Sequence, residues 1–238
     1  MFPVMRRLRY NHSVNNTRLK LAARILFVIC VPFFLLTLSI SIAANCKALY
    51  THGFRTYDIS VRTGLAPEEL DKAAAGLIGY WNSGEDYIDI TVLKAGEPFT
   101  LFNDREVGHL KDVKDLFRLG YKVCLGTFLY ILVFVLSCLF WWRDRRNLGM
   151  GFLWGGGLTV VIMVVLGIVI AVDFDGFFLR FHLLSFANDL WQLNPATDYL
   201  IMMFPQGFWF DAALYVSLAT LAGALLLGVL GWWMVRKP

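Results

Sequence analysis

The chain has 238 residues, 58% of them hydrophobic and 17% charged, with a formal net charge of +4. A soluble domain is usually about half apolar and about a quarter charged, so this balance excludes an ordinary water-soluble domain and points to lipid as the solvent. The net charge is small and says little; its distribution says more.

Four uncharged stretches are long enough to cross a bilayer: Ile25–Ala44, Val123–Trp142, Met150–Val172 and Ala212–Val235. Roughly 20 apolar residues span about 30 Å of hydrocarbon, and the backbone must be satisfied internally there, so helices are expected. The predicted order is a basic tail (1–24), span one (25–44), an outer segment (45–122), span two (123–142) and a short turn (143–149). Span three (150–172), a second outer segment (173–211), span four (212–235) and a short tail (236–238) follow. Pro32 predicts a kink in span one, not a break.

Segment 45–122 reads as a small α/β cap. Thr56 to Arg62 alternates weakly and is expected as a strand. Pro67-Glu68-Glu69 starts a helix, with proline early and acids in the first turn, and Asn82-Ser83-Gly84 stops it. Tyr87 to Leu93 alternates and is β-rich, Lys94 to Pro98 reads as a turn, and Phe99 to Phe102 as a short strand. Asn103 or Asp104 then caps a helix continuing into span two. Segment 173–211 differs: 11 aromatic residues fall between Phe174 and Phe210. Such density suits a segment in the headgroup region or dipping between spans. Phe174 to Ala187 reads as one helix, and Asn194-Pro195 as a turn. The expected fold class is an α-helical membrane protein: four transmembrane helices, a small α/β extracytoplasmic cap and an aromatic-rich interfacial segment.

Orientation follows from Lys and Arg. The flanks before span one, between spans two and three, and after span four carry 11 basic residues and one acid, Asp144. Segment 45–122 has ten basic and twelve acidic residues, and 173–212 has one Arg and five Asp. The positive-inside rule puts both termini and the Arg143–Arg146 turn in the cytoplasm and segments 45–122 and 173–211 outside. The basic start followed by an apolar run has the outline of a signal peptide. The run is long for one, and Asn45 stands where lipoprotein processing before Cys46 needs a small residue, so an uncleaved anchor is expected. Cys30 and Cys138 lie within spans as apolar fillers. Cys46 and Cys124 sit at similar depth near the outer ends of spans one and two. A bridge between them suits that compartment, subject to a Cα distance the sequence does not supply.

Four histidines occur. His12 and His52 read as solvated. His109 is followed at i+3 by Asp112, which on a helix shares its face and could orient the imidazole. His182 sits in an aromatic and aliphatic run at the membrane boundary, where a titratable group is costly and suggests function. If its helix continues, Asp189 at i+7 shares its face, as do Phe178 and Ser185. Topology puts both histidines on the outer side near the end of a span, placed to act as general base and acid on a lipid ester. A metal site built from His109, Asp112, His182 and Asp189 is the rival, and would make a metal-dependent membrane hydrolase. A non-enzymatic lipid-binding or sensor protein is a third reading. No H-E-x-x-H, G-x-S-x-G, CxxC or nucleotide-binding glycine loop occurs. Gly155-Gly156-Gly157 lies inside span three and signals close helix packing.

Two stretches resemble a known family. One is His109-Leu-Lys-Asp112-Val-Lys before span two. The other runs from Phe181-His182 through Phe186, Asn188-Asp189, Trp191, Leu193-Asn194-Pro195, Thr197-Asp198 and Phe204-Pro205 to Phe208 and Asp211. Together with the four-span order, they are similar to the lipoprotein intramolecular transacylases, a family of bacterial membrane proteins. Asn194 and Gln206 depart from the family pattern, in which an acid is common at both. The resemblance implies an acyltransferase in the bacterial cytoplasmic membrane, acting at its outer face on diacylglyceryl-modified lipoproteins among membrane lipids. It would need no cofactor, nucleotide, nucleic acid or metal. The sn-2 acyl chain would move from glycerol oxygen to the N-terminal amine, giving a lyso-form lipoprotein. His109 and His182 would be catalytic, with His182 as base. Asp112 would orient His109; Asn188, Asp189 and Trp191 would shape the site or donate to the oxyanion. Asp198, Phe181 and Phe186 are expected to support it or bind substrate.

Overall fold

The computed structural model describes the backbone of residues 3–236 and side chains from Thr17 to Arg236. The readings placed on Arg6, Arg7, Arg9, His12 and Lys237 fall outside the described side chains. Four helices are long and apolar enough to cross a membrane, over Thr17–Asn45, Asp104–Trp141, Arg145–Val172 and Gln206–Arg236. Only 11% to 28% of their most apolar windows is buried in the protein. The remaining apolar side chains face outward, which lipid tolerates and water does not. The chain is an α-helical, multi-span membrane protein, with one small two-stranded sheet among the described residues.

Its helices in chain order are α1 (Pro3–Asn45), α2 (Lys47–Thr56), α3 (Ile59–Thr63), α4 (Pro67–Asn82), α5 (Asp104–Leu136), α6 (Arg145–Val172), α7 (Phe174–Ser185), α8 (Tyr199–Met203) and α9 (Gln206–Arg236). Strands β1 (Thr91–Lys94) and β2 (Glu97–Thr100) precede α5, and a π-helical turn, Ser137–Trp141, extends it. Pro32 lies inside α1 without interrupting it. Two compact units form.

The first unit holds the chain up to Thr37, Val123–Val165 and the chain from Leu218. Its core gathers Phe27, Val31, Phe134, Cys138, Leu148 and Phe152. The Phe27 ring lies 4.5 Å from that of Phe134 and 5.5 Å from that of Phe152. Helices α6 and α9 approach through glycine: a Cβ on Gly156 would stand 2.6 Å from the Ala224 carbonyl oxygen. A Cβ on Gly155 would meet Val31 of α1, and one on Gly157 would meet nothing. Two of the three adjacent glycines therefore serve packing. Asp144 caps α6 by accepting from the Asn147 amide at 3.0 Å and pairs with Lys20 at 3.1 Å.

The second unit holds Leu38–Lys122 and Leu166–Ser217. Its core includes Tyr50, Phe54, Ile59, Leu77, Trp81, Val92, Leu101, Met203 and Phe208. Helix α4 starts at Pro67 with Glu68 and Glu69 in its first turn. The hairpin turns at Ala95–Gly96, both with positive φ (52° and 87°), the geometry of a tight two-residue turn. Two β expectations change. Thr56–Arg62 is not a strand: it closes α2, turns through Asp58 at φ 51°, and enters α3. No second sheet is present among the described residues to pair with it, and the helical turns bury Ile59. From Tyr87 to Leu93 only Thr91 onward joins the ladder, because its partner is the four-residue β2. One more bond, from the Leu101 amide to the Ile90 carbonyl at 2.9 Å, prolongs the pairing.

Helix α5 begins with a reciprocal cap. The Glu106 amide donates to Asn103 Oδ1 at 3.1 Å, and the Asn103 amide donates to Glu106 Oε2 at 2.8 Å. The other oxygen, Glu106 Oε1, accepts from the Leu200 amide at 2.6 Å and so fixes α8. Helix α7 is capped by Asp173, whose Oδ1 accepts from the Gly176 amide at 2.8 Å, and ends at Ser185. The apolar Leu183 and Leu184 of α7 are exposed, whereas His182 is buried.

Candidate active site

His109 and His182 meet inside the second unit. His109 is on α5, in the part that precedes the uncharged stretch 123–142, and His182 is on α7. Their ring centroids are 6.0 Å apart, with the planes at 33°. Both are buried, at 7% and 8% exposure, deeper than is usual for histidine. Phe186 packs against both rings, edge-on to His109 at 5.0 Å and at 5.5 Å from His182. Phe178 lies 4.3 Å from His182, Trp191 5.0 Å and Phe181 5.5 Å.

The two imidazoles differ in their hydrogen bonds. His182 Nδ1 is 2.8 Å from the Phe178 carbonyl oxygen, one helical turn back. A carbonyl only accepts, so the neutral ring carries its proton on Nδ1 and leaves the lone pair on Nε2. His109 Nδ1 is buried with no partner among the described residues. An unpaired buried polar atom costs about 1–3 kcal/mol, so the fold holds His109 at some expense. Burial pushes the His109 pKa down to about 4, His182 beside it adds to the shift, and the Asp112 charge opposes it. Burial also lowers His182, opposed by its bond to Phe178. Both rings are therefore neutral at pH 7.

The other expected residues surround this pair differently from their sequence readings. Asp112 does not hydrogen-bond His109; its Oδ2 accepts from Asn188 Nδ2 at 2.8 Å. Tertiary structure supplies that partner, which helical spacing cannot reveal. Asp189 does not share the His182 face, because α7 stops at Ser185. It is exposed, with Arg105 donating to its carbonyl and standing 3.9 Å from its carboxylate. Trp191 gives its indole N–H to the Asn188 carbonyl at 3.0 Å, so that donor is already engaged. Asp198 is buried but serves as a brace. It accepts from the Asn194 amide at 2.7 Å, Thr197 Oγ1 at 3.0 Å and Asn103 Nδ2 at 3.1 Å. These bonds, together with Arg105, outweigh burial and hold its pKa low. Among the described residues no three His, Cys, Asp or Glu side chains converge to hold a metal ion. All four cysteines are free thiols, so Cys46 and Cys124 are not bridged.

Sequence reading passed over Glu106, Arg105 and Gly108, which tie α5 to the segment after α7. The signal for Glu106 was present, since Asn103-x-x-Glu106 has capping-box spacing. Burial raises the Glu106 carboxyl above its ordinary value, opposed by the Leu200 and Asn103 amides.

The fold is that of a multi-span membrane protein, with two buried histidine rings side by side in its second unit. The family model of the lipoprotein intramolecular transacylase Lit matches residues 25–209, and the chain belongs to that acyltransferase family. It is 31% identical over 215 residues to an uncharacterized protein of Aquifex aeolicus (strain VF5), covering 87% of this chain and 93% of that one. Among solved structures it resembles the membrane integral lipoprotein intramolecular transacylase Lit from Bacillus cereus. The TM-score is 0.80 at 22% identity, covering 93% of this chain and 98% of that one. A second structure of the Bacillus cereus protein, with one histidine replaced by arginine, gives a TM-score of 0.77 at 21% identity, over 96% and 97% of the two chains. At these identities the likeness establishes a shared fold.

Proposed function

We propose that the protein moves the sn-2 acyl chain of a diacylglyceryl-cysteine lipoprotein from glycerol oxygen to the cysteine α-amine, at the outer face of the bacterial cytoplasmic membrane. Both termini are then cytoplasmic, the side that the distribution of Lys and Arg favours. The observation that carries the reading is the histidine pair: two buried imidazoles, one with its tautomer fixed so that Nε2 is the acceptor.

The neutral substrate amine attacks the ester carbonyl while His182 Nε2 takes its proton. His109, kept neutral by burial, donates its N–H to the developing oxyanion, a role that suits a weakly basic imidazole. The tetrahedral intermediate then expels the glycerol oxygen, and His182 returns the proton to it. A C–N bond replaces a C–O bond, one proton passes from amine to alcohol, and no donor, nucleotide or metal enters the balance. Phe178, Phe181 and Phe186 give the acyl chain an apolar bed and keep water from the ester. Holding amine and ester together supplies much of the rate, because an intramolecular reaction gains a large effective molarity.

The test is expression of wild type, His109→Ala and His182→Ala, at matched levels, in a bacterium lacking lipoprotein N-acylation. The N-terminal lipopeptide of an abundant lipoprotein is then fragmented by mass spectrometry. Wild type is expected to give N-acyl, monoacylglyceryl cysteine, and both variants unchanged diacylglyceryl cysteine. Loss of an acyl chain without N-acylation would mean a hydrolase, and unchanged lipopeptide in every strain would refute the reading.

A further inference from the structure

The turn that carries Trp191 is fastened to α5 at three points. Asp112 accepts from Asn188 Nδ2 at 2.8 Å. Arg105 donates to the Asp189 carbonyl and faces its carboxylate. The Leu190 side chain lies over Gly108, where an added Cβ would come within 2.9 Å of Leu190 Cδ1. Arg105, Gly108, His109 and Asp112 recur at i, i+3, i+4 and i+7, one stripe of the helix. His109 thus shares its face with the three residues that hold this turn. The turn is also closed on itself. Asn188 Oδ1 accepts from the Leu190 amide at 3.0 Å, and its carbonyl accepts from the Trp191 indole at 3.0 Å. The Trp191 ring then packs on His182.

We infer that Asp112 is a positioning residue whose hydrogen bond acts through Asn188 and Trp191 on His182. The inference rests on the reading of His182 as the base. Releasing the Asn188 side chain lets the turn shift, and with it the Asn188 backbone carbonyl that anchors the Trp191 indole, so that His182 loses its cover on that side. Displacement of a reacting group by about 1 Å is enough to cost on the order of a hundredfold in rate. What the clamp needs from residue 112 is an acceptor oxygen, not a charge. An asparagine there keeps an oxygen for Asn188 Nδ2, whereas an alanine does not.

The test compares Asp112→Ala, Asp112→Asn, Asn188→Ala and the Asp112→Ala/Asn188→Ala double variant, in the full-length protein in membranes. Two quantities are read: the rate of lyso-lipoprotein formation, and the rates at which diethyl pyrocarbonate modifies His109 and His182, followed by peptide mass spectrometry. Each alanine variant is expected to lose on the order of tenfold to a hundredfold in rate, and the double variant no more than either. Asp112→Asn should recover most of the loss. His182 should become several times more reactive in the alanine variants while His109 does not change. If Asp112→Asn is as slow as Asp112→Ala and His182 reactivity is unmoved, Asp112 acts by its charge on His109 and the inference fails. Multiplying losses in the double variant would also overturn it. Should Asp112→Ala expose both rings, its fold is lost and Asn188→Ala decides by the same criteria. The modification arm needs no turnover, so it decides the positioning role even if wild type yields no lyso product and the proposed reaction is wrong.

Discussion

His182 owes its tautomer to a neighbour one turn away, whereas His109 is neutral because it is buried. Both pKa values lie below the ordinary 6.5, and on the proposed reaction protonation of His182 removes the base. The sign follows: the proposed reaction runs above the lowered His182 value and fails as pH falls through it. The amine that attacks in the proposed reaction, with a reference pKa near 8, adds its own limb. Log rate against pH should therefore rise with unit slope toward about pH 8, with a further drop only below pH 6.5. An additional enzyme limb at or above 6.5, measured on one purified lipoprotein substrate, would contradict buried neutral histidines. At this scale the sequence was informative about type and blind to partnership. His182 stood out because a polar ring in an apolar run is expensive. Asp112 was legible as a neighbour of His109 on a helix, but its bond to Asn188 joins residues 76 positions apart and has no local signature.

Among the elements, α6 and α9 offer the sharpest contrast. A methyl group at Gly156 would collide with the backbone at Ala224 and Gly228, while the adjacent Gly157 has open space. Backbone cannot rotate away as a side chain can, so Gly156→Ala should destabilise the protein by about 1–3 kcal/mol. Gly157→Ala should leave it unchanged or slightly firmer through helix propensity. Thermal unfolding of the two variants in the same detergent checks this, and equal midpoints would show that α6 and α9 are less closely packed. The three glycines announced close packing from sequence, but which of them face a neighbour depends on helix rotation, set by contacts such as Val31 against Gly155. Start signals such as Pro67-Glu68-Glu69 were legible because they are local. The weak alternation at Thr56–Arg62 misled because alternation is half of what makes a strand; the other half is an adjacent strand.

For the molecule as a whole, the four spans were the most legible feature, since a long uncharged run has few other homes. Their direction across the membrane rests on Lys and Arg and has a natural probe. Cys46 is exposed and free, whereas Cys138 is buried. A membrane-impermeant maleimide added to intact cells, after removal of any outer barrier, should label Cys124→Ala, in which Cys46 remains, and not the Cys46→Ala/Cys124→Ala double variant. Labelling that requires lysis would invert the topology.

The exposed Leu183 and Leu184 beside the buried His182 have a kinetic consequence. An apolar face of this kind suits a hydrocarbon surface. On the proposed reaction the substrate lies in the same leaflet as the site, held by its own acyl chains, and the encounter between them is planar. The quantity that governs saturation is then molecules of lipoprotein per unit of membrane area. Added inert lipid thins the substrate even when the volume of the suspension is constant, whereas added buffer does not.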